Sequence, residues 1–491
     1  MLTKDNVAIT IGLEIHSHIN TSINGEVGQK LFSTSSNDSK EGIPNKNISL
    51  FDISIPGTLP QLNLFAIQQV VKTGLALNGK IPEKCEFDRK HYFYPDLSSG
   101  FQITQNFYPI IDGGYIILKN GKKIGIHHIH MEADAGQSSH KDNYSLINYN
   151  RAMVGLMEIV TEPHMESIEE CIEFIKKIRL TMQYIKTCNG NMEEGNFRVD
   201  VNLSIRKDKS EPLGTRVEIK NLNSFKFIEE AIKYEVNRQL EVINSGKKVI
   251  QETRGFDSSD GTSYSMRQKE TAPEYRYMWE PNIPPIIIKK EFVEKVRSTL
   301  EELPDEKITK YKKYNMEDGN IDVLLENFSL QYYFESLLEI LSVEEKINNK
   351  FVIMLSNWLI GDLYGLINKN MANIEDYPKE YLINIIKMII EEKISGKVGK
   401  IILEESFREK VLPEKIVEKN NLWQITDTKI IDVYIQEVLK EETKKIEEYK
   451  NTKDEKVFHY LTGCVIKKTK GKGAPELCKN RLNFFLIENG I

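Results

Sequence analysis

Val7-Ala8-Ile9-Thr10-Ile11-Gly12-Leu13-Glu14-Ile15-His16-Ser17-His18 is the stretch whose reading decides the fold of this chain. Side chains at i, i+2 and i+4 share one face of a strand. Val7, Ile9, Ile11, Leu13 and Ile15 therefore form an apolar row, and Glu14, His16 and His18 face the other way. Three further segments repeat the pattern. Ile124 to Asp134 gathers His128, His130, Glu132 and Asp134 opposite Ile129 and Met131. Phe197 to Arg206 sets Arg198, Asp200, Asn202, Ser204 and Arg206 against Phe197, Val199, Val201, Leu203 and Ile205. Arg216, Glu218 and Lys220 alternate with Val217 and Ile219. The strand Leu156 to Val160 adds Glu158 among apolar neighbours, where a carboxylate must be protonated, paired with a base or bound to a cation.

A single row of this kind is what the wet face of any half-buried antiparallel sheet looks like. Four together read differently, because they mix His, Asp, Asn and Arg, side chains with directional hydrogen bonds and ligand capacity. Glu14, His16, Glu132 and Glu158 are thus a candidate hard-cation site, oxygen-rich with one imidazole, suited to Mg2+ rather than to structural zinc.

Outward from these strands, short alternating segments punctuated by Gly, Pro and Asn continue to about Pro285, with helical stretches at Leu64 to Leu77 and Ile168 to Cys188. The fold class expected is α+β, a mixed and mostly antiparallel domain over residues 1–288. Prolines between Pro281 and Pro285 exclude helix and mark its end. Beyond them apolar residues recur at helical spacing, as in Phe351, Leu355, Trp358, Leu359 and Leu363, giving two all-α domains at 289–405 and 406–491.

A length of 491 residues accommodates about three domains. The net charge of −6 excludes a globally basic nucleic-acid coat, so RNA contact must come from local patches. The five cysteines contain no Cys-x-x-Cys pair, which argues against a disulfide framework and a thiolate zinc site and fits a reducing compartment. No uninterrupted apolar run reaches about 18 residues, so no membrane insertion is expected. Strand pattern from Val7 leaves no room for a signal peptide or transit helix.

The nearest approach to a P-loop, Gly74 to Ile81, has Ile81 where Ser or Thr is required and reads as a helix end. Nucleophile-elbow, zincin, Rossmann and kinase signatures are absent. Phe87 to Leu97 alternates charge and rings: Arg89 and Lys90 can neutralise phosphate while Tyr92 and Tyr94 stack, or the segment is an aromatic core strand. Near the end, Lys467, Lys468, Lys470 and Lys472 with Gly471 and Gly473 form a basic loop, a candidate RNA contact or simply solvated surface.

In Gly12 to His16, Pro56 to Pro60, Phe87 to Asp96, Gln102 to Gln105, Glu132 with Asp134 to Gly136, and Glu158 to Pro163, the chain resembles the GatB/GatE family. The likeness continues in Met192 to Gly195, Arg198 to Asp200, Glu218 to Ser224, Glu252 to Arg254, Tyr275 to Tyr277, Asn357 to Leu359 and Lys470 Gly471. It implies a cradle domain carrying the active site, a helical domain and a tail domain that contacts tRNA. It implies an ATP- and Mg2+-dependent amidotransferase component that phosphorylates the side chain of glutamate on tRNA(Gln), whereupon ammonia displaces the phosphate. By matching positions, Glu14, His16, Glu132 and Glu158 become metal ligands. Glu14, His16 and Lys220 become catalytic residues, Arg89, Lys90, Asn221 and Arg254 substrate or phosphate contacts, and Lys467, Lys468, Lys470 and Lys472 tRNA contacts. The family draws ammonia from a GatA-type glutaminase, joined by a small third subunit, GatC or a fungal-type replacement.

There are departures. Leu31 to Asn45 has no cysteine where many members bind zinc, so no zinc is expected. Ala133 replaces a second glutamate of bacterial members, which opens the alternative of a tRNA-binding scaffold with a degenerate site. Asp-tRNA(Asn) is a possible additional substrate. The wording of Gly57 Thr58, Arg89 to His91 and Tyr275 to Met278 resembles the mitochondrial branch, favouring the mitochondrial matrix, or the cytoplasm for a bacterial source.

Overall fold

In the computed structural model the opening row is strand β1 (Ala8–His18), followed by β2 (Lys84–Cys85), β3 (Asp88–His91), β4 (Phe101–Thr104), β5 (Ile111–Asp112) and β6 (Tyr115–Ile117). Next come β7 (Lys123–Ala133), β8 (Gln137–His140), β9 (Ser145–Asn148), β10 (Gly155–Thr161), β11 (Phe197–Arg206) and β12 (Val217–Leu222). The last are β13 (Glu252–Asp257), β14 (Thr262–Gln268), β15 (Met278–Trp279) and β16 (Ile286–Ile287). The structure describes residues 3, 6–268, 274–343 and 348–489. Two units are distinguished, Met1–Pro304 and Asp305–Ile491.

The main sheet runs β14-β13-β12-β11-β1-β10-β7-β5, with β6 also on β7. Every pair in it is antiparallel except β12 with β13, in agreement with the mixed, mostly antiparallel α+β expectation. Alternation accounts for the core. Ile11, Leu13 and Ile15 are buried with Ile129, Met131, Met157, Ile159, Val199, Val201 and Leu203. Helices α1 (Leu64–Ala76), α2 (Ile168–Tyr184) and α3 (Phe225–Asn244) contribute to that same core through residues such as Val70, Phe174, Ile178, Ile228 and Ile232.

Local chemistry sets the helix ends. The side chains of Asn63, Ser167 and Ser224 accept hydrogen bonds from backbone N–H groups of the first turns, and Glu169 and Glu170 sit where the helix dipole favours negative charge. The second helix stops at Tyr184 rather than running to Cys188. Lys186 turns left-handed (φ 59°), and the Thr187 N–H bonds back to the Met182 carbonyl at 3.0 Å. The P-loop-like glycines belong to the end of α1: a Cβ on Gly74 or Gly79 would lie within 2.4 Å of the Ile111 side chain. Past Pro285 the first unit continues, because β16 pairs with β2 and α4 (Lys290–Arg297) places Val296 in the sheet's core.

The second unit is helical. The tail helices Thr428–Glu441, Glu455–Lys468 and Pro475–Glu488 share a core of their own, including Ile431, Ile435, Leu461, Val465, Leu482 and Leu486. Among the described residues one helical run, Asn349–Lys369, is long and apolar enough to cross a membrane by length and composition. Its Phe351, Val352, Leu355, Leu359 and Leu363 are buried within the protein.

The cysteine-free loop after β1 is held by a buried ion pair. Lys30 and Asp52 are both 0% exposed and 3.0 Å apart, and the ammonium also donates to the Asn47 carbonyl at 2.7 Å. Burial depresses the Lys30 pKa, while Asp52 opposes that shift. Removing one partner leaves a buried charge. Lys30→Met is therefore expected to destabilise the chain by ~3–5 kcal/mol in urea unfolding, and Lys30→Met with Asp52→Leu to recover part of that loss.

Candidate active site on the polar face of the sheet

Antiparallel register brings the polar rows into line. His16 stands opposite Glu158 on one side and Arg198 on the other, Glu158 is next to His130, Leu156 next to Glu132, and Glu14 next to Asp200. The result is two groups. In the first, His16 Nε2 lies 3.2 Å from Glu158 and 3.6 Å from Glu132, and His130 Nε2 lies 3.3 Å from Glu158 and 3.9 Å from Glu132. His16, Glu132 and Glu158 offer ligand atoms within 4.8 Å of one another.

In the second group, Glu14 joins Asp200 and Glu218 within the same limit. There Lys220 already supplies the cation, with its ammonium 2.5 Å from Asp200 and 3.0 Å from Glu218. Asn202 donates to Glu14 at 3.0 Å, and the Thr253 hydroxyl donates to Glu218 at 2.6 Å. A bulge aims Lys220: Val199 pairs with Leu222 and Val201 with Ile219, so Lys220 and Asn221 together oppose Asp200. Asn221 takes the left-handed conformation this requires (φ 68°), one that asparagine tolerates.

The electrostatics separate the carboxylates. Burial raises the Glu14 pKa, and repulsion from Glu158 and Glu218 adds to it. Burial and the Glu158 charge likewise raise Glu132. Burial also acts to raise Glu158, but the flanking His130 and His16 outweigh it and hold this carboxyl well below the usual range. Burial opposes the His16 imidazolium, yet Glu158 and Glu132 push its pKa up to about 9. Glu14 and Glu132, one in each group, are thus both raised by burial and by repulsion from the same neighbour, Glu158. The two carboxylates and one imidazole of the first group are a donor set that fits a hard divalent cation keeping some of its water.

The cluster opens into a cavity of about 360 Å³, lined among others by His16, Lys90, Glu132, Arg198, Lys220 and Asn221. Asp134 ties its edge together: His18 and Arg198 lie 3.1 Å from its carboxylate and Arg151 3.5 Å. These three outweigh burial and hold Asp134 far below the usual carboxylate range. Ala133 lies on the opposite face, 2% exposed in the core, so the polar row is continuous across it.

Not every residue singled out in the sequence reaches the cavity. Arg89 faces away from Lys90 and makes a bidentate pair with buried Glu280, at 2.6 and 3.0 Å. Arg254 is bound to Glu252 (2.7 Å) and to the hydroxyl and carbonyl of Ser263. Of the tail lysines, Lys468 pairs with Glu441 at 2.6 Å and Lys472 donates to the Asn421 carbonyl, while Lys467 and Lys470 are exposed. Conversely, the partnership of Asp200 and Glu218 with Glu14, and of His130 with Glu158, is not legible in the sequence. All of them stand in the polar rows, but only pairing order and register decide who meets whom.

Residues 9–294 match the family described as GatB/GatE catalytic domain, and residues 342–485 match a GatB domain. A protein of Ehrlichia canis (strain Jake), named as the B component of an aspartyl/glutamyl-tRNA(Asn/Gln) amidotransferase, is 40% identical over 474 residues, covering 96% of this chain and 95% of that protein. Proteins of the same name from Rickettsia bellii (strain RML369-C) and Rickettsia typhi (strain ATCC VR-144 / Wilmington) are 41% and 42% identical, with 96% of each chain covered. These relatives are bacterial and lend no support to the mitochondrial branch read from the wording of three short segments.

Because His16 has a raised pKa, its stabilising contribution is complete below its unfolded value of 6.5 and is lost as pH rises through about 9. With divalent cations chelated, the urea midpoint of unfolding is therefore expected to decrease as pH is raised from 6.5 through about 9. Glu158→Gln should flatten that dependence, which urea titrations at three pH values would reveal.

Proposed function

The chain belongs to the GatB/GatE family of amidotransferase components, and from that premise we propose that it converts Glu-tRNA(Gln) to Gln-tRNA(Gln) in an ATP-dependent reaction. In this reading the side-chain carboxylate of the tRNA-borne glutamate attacks the γ-phosphoryl group of ATP and ADP leaves. Ammonia then displaces phosphate from the acyl phosphate. The observation that carries the reading is the His16–Glu158–Glu132 cluster, with Glu14 beside it, opening into a cavity with two lysines. The names of the relatives pair the Asn and Gln tRNAs, which supports Asp-tRNA(Asn) as a second substrate.

His16, Glu132 and Glu158 are the residues that would hold Mg2+, with Glu14 adjacent. Bound there, the ion would neutralise charge on the triphosphate. Lys90 offers hydrogen-bond donors to a phosphate or carboxylate oxygen, and Asn221 presents its amide at the cavity wall. Lys220, anchored by Asp200 and Glu218, contributes fixed positive charge. Arg89 and Arg254 act in this proposal from behind, through Glu280 and through Glu252 and Ser263.

In this reading ammonia comes from a separate subunit. Burial pushes the Cys85 and Cys188 thiols up to about 11 and Cys171 to about 12, so these are poor glutaminase nucleophiles. A GatA-type glutaminase and a small third subunit such as GatC complete the assembly. The bacterial relatives favour the cytoplasm. The argument for a degenerate scaffold is the alanine at position 133, and that residue's place in the core, away from the polar row, takes its force away.

In the complex reconstituted with its glutaminase, Glu158→Ala and Glu14→Ala are expected to lower Glu-tRNA-dependent ATP turnover by on the order of 100-fold. Tight tRNA binding by the unaltered complex with no such turnover would overturn the reading. For the tail, Lys467→Glu with Lys470→Glu should weaken tRNA binding and reduce the slope of log K against log salt by roughly 0.7–0.9 for each phosphate no longer neutralised. An unchanged slope would remove these two lysines from the interface.

A further inference from the structure

The two lysines of the cavity are held in opposite ways. Lys220 is saturated by Asp200 and Glu218. Lys90 is half-buried, and among the described residues no ion pair or hydrogen bond reaches its ammonium. Two rings flank it instead: Nζ is 4.8 Å from the Tyr275 centroid and 6.0 Å from that of Tyr92. The rings are 6.2 Å apart and nearly perpendicular, at 74°.

An aromatic face attracts an ammonium without taking its protons in a strong hydrogen bond. A carboxylate in the same place would occupy the donors and neutralise the charge. We propose that Tyr275 and Tyr92 form a holder for the Lys90 ammonium that fixes its position while leaving its N–H groups free for an anionic oxygen of the substrate. Tyr275 is the positioning residue and acts through Lys90. The inference rests on the cavity being the reaction site.

The backbone shows how the holder is built. The His91 N–H donates to the Tyr275 carbonyl at 2.8 Å, and the His91 ring Nδ1 lies 3.0 Å from the Arg276 carbonyl. Met278 and Trp279 then pair with Arg89 and Asp88 as β15 on β3. The Arg89–Glu280 bidentate pair closes the far end. Arg89 thereby gains a purpose: it clips the Tyr275 to Glu280 segment against the strand that carries Lys90. Tyr277, 5.9 Å from Tyr275, extends the aromatic row.

The test uses the assembled complex and two readouts. In steady-state amidation, Tyr275→Leu should lower kcat/KM by about tenfold, a size between those of an exposed and a fully desolvated cation–π contact. Tyr275→Phe, which keeps the ring, should restore it to within about twofold. In a Lys90→Met background, Tyr275→Leu should add little further loss. The second readout does not need activity. In the reductively 13C-methylated protein, the Lys90 signal, identified by its absence from Lys90→Arg, should show an upfield ring-current shift in the unaltered chain and in Tyr275→Phe, and lose it in Tyr275→Leu. Additive losses in the Lys90→Met background, or a Lys90 signal indifferent to Tyr275→Leu, would overturn the holder. Absence of tRNA-dependent turnover in the unaltered complex with the ring-current pattern intact would overturn the reaction instead.

Discussion

Everything at this site depends on the antiparallel register of β1 between β10 and β11. That register sets His16 beside Glu158 and, one strand further, Glu158 beside His130, so a half-buried carboxylate is met by a base from each side. A slip of one residue would send Glu14 and His16 into the core and Ile15 into the cavity. The apolar row prevents this. Ile11, Leu13 and Ile15 are essentially fully buried, and burying an aliphatic side chain of this size stabilises by ~1.5–3 kcal/mol each. The hydrophobic face thus determines where the ionisable groups stand, and three helices pack into the same core.

Placing so many carboxylates on one face carries an electrostatic cost that the structure meets unevenly. Asp134 is met by two arginines and a histidine, Asp200 and Glu218 by Lys220, and Glu158 by two histidines. Glu14 and Glu132 are left with raised pKa values. Charge is thus compensated most fully at the edge, around Asp134, and least at Glu14 and Glu132. The same compensation explains why a bulge sits in β12: regular pairing would turn Lys220 or Asn221 away from Asp200, whereas two residues against one keep both at the cavity.

The helical unit obeys a different logic. Its tail helices close a small core of their own, and Lys467 and Lys470 project at the end of one helix, where Lys470 and Gly471 both adopt left-handed conformations. Lys468 and Lys472 are tied back to Glu441 and to a carbonyl. A cluster of four like charges in the sequence therefore resolves into two groups used internally and two facing solvent. Spacing alone cannot make that division, since it depends on which neighbouring helix or loop supplies an acceptor.

The sequence by itself determined the α+β class and the polar and apolar faces of β1, β7, β11 and the start of β12, because a period of two needs no tertiary information. It also grouped Glu14, His16, Glu132 and Glu158 as one candidate cation site. What only the tertiary structure decided is how that set divides: His16, Glu132 and Glu158 in one group, Glu14 with Asp200 and Glu218 in another. Periodicity fixes the side of a sheet on which a residue lies, but strand order and register fix its neighbours. For the same reason Arg89 and Arg254 read as ligand contacts in sequence and emerge as internal braces, since their partners Glu280 and Ser263 are brought to them by the fold. The aromatic holder of Lys90 was equally invisible. His91 secures the segment that carries Tyr275 through the Tyr275 and Arg276 carbonyls, and Arg276 lies 185 residues further along the chain. A contact across that distance is a property of the folded sheet, because no local pattern reaches so far.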